Sequence, residues 1–314
     1  MAGDNPLQQT INSRGHIFWV PRYWPTWLGL ACLRLLSLLP LPLLWWLASG
    51  LGRVLYWLIV PRRRVVLRNL ATCFPSWSQN RHQQIAKQHF HYAAYMLLIE
   101  GYVWWAKPQQ LQKIGQFRNR QYYDQALDEG LNIILLAPHF LGLEIGGLLL
   151  VLERPISTMY QYSKNHLLDT VVRHGRSRFG GQLIERKAPL NILIRSLRSG
   201  KPFYYLPDQD AGHRKGVFAP FFGTTAATYP LLGKFARLGK ATVIPCYTRL
   251  LAKGKGFEVV FLPPLQDYPS GDELADTTTM NKVIEEMAEE EPEQYFWLHK
   301  RFKTRPRGEP KFYD

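Results

Sequence analysis

Hydrophobic and polar positions follow two different patterns along the chain. Between Asn80 and Lys113, apolar residues recur at the spacing of one helix face. From Asn132 onward, short β-rich runs alternate with segments of helical spacing, which is typical of a sheet covered by helices on both faces. We therefore predict an α/β fold with a mostly parallel or mixed sheet. The predicted strands are 132–137, 156–160, 202–206, 242–248 and 257–262, and the predicted helices are 143–152, 166–179, 189–198, 229–238 and 276–290.

The N-terminal region differs from the rest in being almost free of charge. Residues Leu35 to Gly52 carry none, and this length is close to the roughly 20 residues needed to cross a bilayer. Pro40 and Pro42 interrupt helical hydrogen bonding there, so a kinked span, a hairpin within one leaflet and a buried core helix are all open. We predict an N-terminal membrane-anchoring helix within residues 1–61 and a separate α/β domain in 62–314.

Composition excludes some classes of protein and indicates an orientation. The chain has 39 Lys and Arg against 24 Asp and Glu, a net charge of +15, with 46% hydrophobic residues. These values exclude a disordered chain and a disulfide-stapled miniprotein. Three cysteines that lie far apart indicate neither a disulfide framework nor a zinc site. Four arginines within 62–68 follow the apolar region and two precede it, which predicts that the C-terminal part faces the cytoplasm.

The first strand of the alternating region ends at the most informative motif. His139 lies in the loop after this strand, and Glu144 lies at the start of the next helix. Ligands of such sheets bind beyond the carboxyl ends of the strands. An imidazole with an anionic partner has a fixed tautomer and a raised basicity, which deprotonation of an alcohol requires. The alternative is a histidine that caps the helix and a glutamate that complements its dipole.

His139-x4-Glu144 is similar to the H-x4-D/E motif of the lysophospholipid acyltransferase superfamily, and its glutamate form resembles the lipid A branch. Further similar phrases follow in the same order down to the tail. One departure is Gln161, where the resemblance leads us to expect arginine; Lys164 or Arg173 could compensate in binding an acceptor phosphate. The similar phrases include Met159-Tyr160, Gly175-Arg176-x-Arg178-x-Gly180, Tyr205-x-Pro207-Asp208-Gln209-Asp210-x-Gly212, Gly216–Gly223 and Pro292–Pro306.

The resemblance implies a glycerolipid acyltransferase-like fold and a specific reaction. A fatty acyl chain would pass from acyl carrier protein to a hydroxyacyl chain of a Kdo-bearing lipid A precursor at the cytoplasmic face of the bacterial inner membrane. His139 would be the general base with Glu144, and Arg176 would stabilise an oxyanion or clamp a phosphate. A surface arginine on an amphipathic helix is the alternative for Arg176. No metal or other cofactor is required, because a thioester is already activated.

Other candidate substrate-binding residues follow. Asp208 and Asp210 come after a predicted strand and could orient an arginine or a substrate hydroxyl, or be plain turn residues. Phe221, Phe222 and Gly223 form an apolar phrase that favours acyl-chain binding, with a loop packed on the core as the alternative. In the tail, aromatic residues interleave with cations, which suits an anionic glycolipid or acyl carrier protein. These cations are Lys300, Arg301, Lys303, Arg305 and Arg307.

Three other functions account for part of the pattern. A glycerolipid acyltransferase of the same superfamily would share the histidine motif, but glutamate in place of aspartate and the phrase Pro292–Pro306 argue against it. A nucleic-acid-binding protein would explain the positive charge, but the chain has no zinc, homeodomain or RNP signature, so no nucleic-acid partner is expected. A serine esterase would need Gly-x-Ser-x-Gly, and Gly175–Phe179 lacks the final glycine.

Overall fold

The computed structural model describes residues 18–313, in which the predicted alternation forms a seven-stranded sheet and a separate hairpin. The order across the sheet is β1-β9-β8-β2-β5-β3-β4, and only the pair β8 and β9 is antiparallel. The prediction of a mixed, mostly parallel sheet is therefore confirmed. The strands are β1 (Gly115–Arg118), β2 (Asn132–Leu136), β3 (Ser157–Tyr160), β4 (Gln182–Glu185), β5 (Phe203–Tyr205), β6 (Val217–Phe221) and β7 (Thr224–Thr228) of the hairpin, β8 (Ala241–Leu251) and β9 (Gly256–Phe261).

Helices cover both faces of the sheet and add an N-terminal layer. The helical segment predicted between Asn80 and Lys113 divides in two, because Lys107 is extended and Pro108 begins a new helix. The helices are α1 (Trp24–Leu36), α2 (Leu41–Leu58), α3 (Val60–Cys73), α4 (Gln79–Trp105), α5 (Pro108–Ile114), α6 (Gln121–Asp128), α7 (Leu143–Glu153), α8 (His166–Ser177), α9 (Leu190–Arg198), α10 (Gly212–Lys215), α11 (Leu232–Gly239) and α12 (Glu273–Glu290).

Strand β2 shows how the sheet carries a core on each face. Ile133 and Leu135 pack with apolar residues of α4 and α7 on one side. Ile134 and Leu136 pack with apolar residues of α9, α11 and α12 on the other. Successive side chains of a strand point to opposite faces, so a strand buried on both faces is apolar at every position. This burial explains why the sequence of β2 is a continuous hydrophobic run.

Parts of the structure were not among the predicted strands. Strands β1 and β4 have four residues each and lie at the two edges of the sheet. Strands β6 and β7 form a hairpin whose two turn residues, Phe222 and Gly223, have φ angles of 49° and 70°. Positive φ at both positions matches a type I′ turn, and phenylalanine is an uncommon residue there. Only the second turn residue, Gly223, matches the residues that such a turn favours.

The uncharged N-terminal region folds as two helices that pack against α4. Helix α1 ends before Pro40, and both Pro40 and Pro42 lie at the start of α2, where proline is tolerated. Gly52 lies so close to α4 that a Cβ atom would be 2.6 Å from His91 Cα. Among residues 18–313, no single helix is long and apolar enough to cross a membrane; α2 and α3 are so only as a pair bent by 93°. In this region the structure has shorter packed helices and not one long apolar helix.

The outer side of these helices carries large apolar side chains that contact solvent. Trp24, Trp46 and Trp57 are 60%, 68% and 62% exposed. Soluble surfaces rarely group so many large apolar side chains, so such a patch indicates a binding surface. We call this set the N-terminal apolar surface. It comprises Trp19, Trp24, Leu28, Leu35, Leu38, Leu43, Trp46, Val54, Trp57, Leu58 and Ile59.

Candidate active site

Two strand ends bring His139 and Asp208 together. Strands β2 and β5 are parallel neighbours, so the loops that follow them lie side by side. His139 Nδ1 is 2.6 Å from Asp208 Oδ1, and the backbone N–H of His139 donates to Asp208 Oδ2 at 2.9 Å. Asp208 is buried. The carboxylate therefore fixes the ring orientation and favours a proton on Nδ1, which leaves Nε2 as the basic atom.

The charges around this pair favour a basic imidazole. Burial lowers the pKa of His139, but the charge and hydrogen bond of Asp208, with the charge of Glu144, outweigh burial and leave it raised. Burial raises the pKa of Asp208, whereas the charge and hydrogen bonds of His139 more than offset this effect and lower it to about 2. Asp208 is therefore an anion at neutral pH, as a partner that stabilises an imidazolium must be.

The other ring nitrogen of His139, Nε2, lies at the wall of a cavity. Gln209 Nε2 is 3.1 Å from His139 Nε2, a distance at which the amide donates to the lone pair of the ring. Both residues line a cavity of about 720 Å³. A hydroxyl group that took the place of the Gln209 amide would meet a base at Nε2.

Glu144 binds Arg176 and not His139. Its Oε2 accepts from Arg176 Nε at 2.9 Å, and its Oε1 accepts from Arg176 Nη2. Glu144 lies in the first turn of α7 and Arg176 in the last turn of α8, so the pair joins two helices in the cavity wall. The negative charge of Glu144 helps to raise the pKa of His139. The hydrogen bond that orients the His139 ring, however, comes from Asp208.

A third acidic residue, Glu100 of α4, lies near the Glu144–Arg176 pair. Burial raises its pKa to about 8, and the charge of Glu144 adds to this rise, whereas Arg176 opposes it. Glu100 therefore holds a proton near neutral pH, when Glu144 and Arg176 form an ion pair. Its position in the sequence carries no signal, because it lies within a long helix and follows no strand end.

Apolar side chains form much of the remaining cavity wall. Gly147 of α7 also lines it, and a Cβ atom there would come no closer than 3.9 Å to Tyr204. Concave, mostly apolar sites with few polar groups are typical of ligand pockets, and a fatty acyl chain fits such a lining. The aliphatic residues and the methionine of this wall are Leu143, Leu148, Val151, Ile156, Met159, Leu183, Leu206 and Leu231.

Comparison with known proteins identifies the family. Residues 13–304 match the family described as bacterial lipid A biosynthesis acyltransferase. The chain belongs to this family. It is 34% identical to the lipid A biosynthesis lauroyltransferase of Escherichia coli (strain K12), over 93% of this chain and 96% of that protein. It is 33% identical to a lipid A biosynthesis acyltransferase of Haemophilus influenzae, over 96% of each chain.

A further relative is the lipid A biosynthesis palmitoleoyltransferase of E. coli (strain K12), which is 32% identical over 93% of this chain and 95% of that protein. The resemblance inferred from the motifs is therefore confirmed along nearly the whole chain. Membership in this family makes the protein an acyltransferase of lipid A biosynthesis. The structure also shows which of the predicted site residues line the cavity.

In this lipid A acyltransferase the apolar phrase Phe221–Gly223 does not line the cavity. Phe221 is fully buried, with its ring centroid 6.1 Å from that of Phe302. Phe222 packs 5.0 Å from the Phe74 ring, and its backbone N–H donates to Glu285. The phrase is a hairpin turn packed on the core, which was the alternative to acyl-chain binding.

Asp210 has different hydrogen-bond partners from Asp208, although only Gln209 lies between them in the sequence. Its Oδ1 accepts from the backbone N–H of Gly212 at 2.9 Å, and its Oδ2 accepts from that of Thr304 at 3.0 Å. This carboxylate ties the loop after β5 to the C-terminal segment and does not line the cavity. Of the two predicted aspartates, only Asp208 contacts His139.

The tail cations do not form a single surface. Arg301 is 2% exposed and donates to the backbone carbonyl of Ala227 at 3.0 Å, so it lies inside the protein and not on the surface predicted to meet lipid phosphates or a carrier protein. Lys300 is exposed, and its Nζ lies 5.5 Å from the centre of the Tyr313 ring. The rings of Tyr295 and Trp297 are buried, so they belong to the core and not to a headgroup layer.

The cation beside Gln161 is neither Lys164 nor Arg173. Lys164 is exposed, and the guanidinium carbon of Arg173 lies 5.3 Å from the centre of the Tyr162 ring; neither residue lines the cavity. Arg186, which follows β4, donates from Nη1 to Gln161 Oε1 at 3.1 Å. Arg186 is therefore the cation that contacts Gln161, at a position that the sequence did not single out.

Proposed function

We propose that this protein transfers a fatty acyl chain from acyl carrier protein to a hydroxyl group on a hydroxyacyl chain of a Kdo-bearing lipid A precursor. Family membership and relatives named as lauroyl- and palmitoleoyltransferases support fatty acyl transfer. The observation that carries the proposal is the position of His139, held by a buried carboxylate on one side and open to an apolar cavity on the other.

In the proposed reaction His139 is the general base. Its Nε2 takes the proton of the acceptor hydroxyl while the hydroxyl oxygen attacks the thioester carbonyl carbon, and Asp208 stabilises the imidazolium that forms. The tetrahedral intermediate then collapses, the C–S bond breaks and its electron pair goes to sulfur. The imidazolium returns the proton to this thiolate. An ester and a free thiol are the products, and no further reactant is consumed.

The oxyanion of the intermediate needs hydrogen-bond donors near His139. Glu144 occupies Nε and Nη2 of Arg176, so Nη1 is the atom that would meet an oxyanion or a phosphate. The Gln209 amide, 3.1 Å from His139 Nε2, is a second donor close to the reacting atoms. Glu144 would act through Arg176 as a positioning residue and would add negative charge near the imidazole.

The N-terminal apolar surface is the proposed contact with the bacterial inner membrane, with the catalytic residues on its cytoplasmic face. Trp46 and Trp57 are exposed on α2, and arginines 62–64 follow directly at the start of α3. Apolar residues with adjacent cations suit the boundary between acyl chains and anionic headgroups. Such a position would bring the cavity to a lipid acceptor.

The function is tested with purified protein, acyl carrier protein charged with a fatty acid and a Kdo-bearing lipid A precursor. Mass spectrometry should show one added acyl group on the lipid. His139→Ala should lower turnover by roughly 10²- to 10⁴-fold, the range typical of general-base catalysis. Glu144→Ala should also impair transfer, by releasing Arg176. No transfer by the wild type, or wild-type turnover by His139→Ala, would contradict the proposal.

A pH profile tests the role of Asp208. Because His139 must be neutral to act as a base and its pKa is raised, kcat/KM should increase as pH rises through that pKa. Asp208→Asn removes the charge that holds the proton, so its acid limb should move to lower pH while turnover falls. Asp210→Asn is the matched control and should leave the limb in place, since Asp210 bonds Thr304. An unshifted limb in Asp208→Asn would contradict this assignment.

A further inference from the structure

The cavity has a basic rim that the proposed reaction does not use. Arg186, just after β4, and Lys215, the last residue of α10, both line the cavity. Glu144 is the one carboxylate among the lining residues of the described chain, and it is paired with Arg176. The rim therefore carries two positive charges that no carboxylate of the cavity wall balances.

Arg186 is held in place by neutral groups. Its Nη1 donates to Gln161 Oε1 at 3.1 Å, its Nη2 donates to the Tyr229 hydroxyl, and its guanidinium carbon lies 5.3 Å from the centre of the Tyr229 ring. Within residues 18–313, no carboxylate lies within 4.0 Å of it. The two hydrogen bonds use two of the five N–H groups of a guanidinium, so donors remain for an anion.

We propose that Arg186, positioned by Gln161 and Tyr229, binds a phosphate group of an amphiphilic substrate whose acyl chain occupies the cavity. A guanidinium presents its donors in a planar fork that matches two oxygens of a phosphate. Lys215 adds a second charge at the same rim. The apolar wall beyond the rim suits the chain of the same molecule, so one ligand with an anionic head and an apolar tail satisfies both parts.

This inference rests on the proposed function for the identity of the phosphate. Two substrates of that reaction carry phosphate esters: the lipid acceptor on its sugars, and acyl carrier protein on the arm that bears the thioester. Both would present a phosphate near an acyl chain, and the cavity chemistry is the same for either. The experiments below first test phosphate binding without any transfer reaction and then distinguish the two sources.

The binding test uses decyl phosphate and decyl glucoside as probes, titrated by calorimetry into protein in a neutral detergent. The wild type should prefer the phosphate probe. Arg186→Ala should weaken its binding by about tenfold to a hundredfold, the value of a charge-assisted hydrogen bond, and Arg186→Lys should fall between. Arg195→Ala, an exposed arginine of α9 outside the cavity, is the control and should bind like the wild type.

Decyl phosphate bound equally by Arg186→Ala and the wild type would overturn the proposal, whether or not acyl transfer is observed. The double change Gln161→Arg with Arg186→Ala moves the cation to the neighbouring residue of the same rim. It should restore part of the phosphate preference. A purely structural role of Arg186 predicts no such rescue, and its absence together with a lowered unfolding temperature of Arg186→Ala would overturn the proposal.

Steady-state kinetics then identify the substrate that carries the phosphate. If the lipid acceptor supplies it, Arg186→Ala should raise KM for the acceptor about tenfold or more at little cost in kcat, and an acceptor treated with phosphatase should abolish the difference from wild type. If the carrier arm supplies it, KM for acyl carrier protein should rise instead. Unchanged KM values for both substrates would overturn the proposal while leaving the acyltransferase function intact.

Discussion

The two ends of the chain have similar compositions and opposite environments. Both combine tryptophan and other aromatic residues with several arginines. Near the N-terminus, Trp46 and Trp57 are 68% and 62% exposed, whereas near the C-terminus Tyr295, Trp297 and Phe302 are 3% exposed or less. An aromatic, basic stretch can therefore be a binding surface or part of the core, and composition does not distinguish the two.

The difference arises from hydrogen bonding of the backbone. Helix α2 satisfies its own backbone groups, so it can pack one side on α4 and leave the other without a partner. The C-terminal segment is not helical and depends on neighbours: Asn69 of α3 donates to the carbonyls of Trp297 and His299, both at 2.9 Å. Because the backbone carbonyls of this irregular segment are hydrogen-bonded to a buried side chain, its own aromatic side chains lie in the core.

The largest effect expected from this comparison is at Arg301. Arg301→Ala removes one of the two donors to the Ala227 carbonyl and one of the two donors to the Thr228 hydroxyl, and it opens a cavity beside Phe221. We expect the free energy of unfolding to fall by about 3 kcal/mol or more, measured by urea unfolding in detergent. Lys300→Ala, next to it but exposed, should change stability by about 0.5 kcal/mol or less. Equal stability of the two variants would refute the assignment of Arg301 to the core.

A second test uses neighbouring tryptophans at the other end. Trp46→Gln with Trp57→Gln should weaken binding to anionic liposomes by about thirtyfold or more in flotation assays, because burial of each ring is worth roughly 1–2 kcal/mol. Stability should be nearly unchanged, since both rings face outward. Trp45→Gln should lower the free energy of unfolding and leave flotation nearly unchanged, because Trp45 packs inward, 5.1 Å from the Tyr95 ring. Unaltered flotation of the double variant would remove the membrane role of this surface.

Much of the fold was predictable because burial on both faces leaves a clear signal. All five predicted strands appear in the sheet, and His139 lies at a strand end as expected. Strand β4 was missed because its four residues, Gln182–Glu185, form a short edge with polar ends, and Arg186 was missed with it. The N-terminal helices were harder to predict because α1 and α2 are apolar on two sides: one side packs on α4 and the other is exposed.

The candidate site was predictable in its residues more than in its pairings. His139 and Asp208 lie 69 positions apart, and they meet only because β5 is inserted between β2 and β3 in the sheet. This strand order cannot be read from the spacing of either motif. Glu144 was close to His139 in sequence, and its partner Arg176 comes from the next helix. Sequence proximity thus favoured the wrong hydrogen-bond partner for His139.

The smallest effect is expected from the tail cations that stay exposed. Lys300→Gln with Lys303→Gln should weaken flotation with anionic liposomes by less than about fivefold. The C-terminal segment lies along α3, which follows the N-terminal apolar surface in the chain. These charges would therefore act on lipid headgroups from a distance, and dissolved salt would screen them. The defect should disappear at high ionic strength, while stability and turnover stay as in the wild type. A loss as large as that of the tryptophan pair, or one that high salt does not remove, would show that the C-terminal segment inserts into the membrane itself, and the contrast between the two ends would fail.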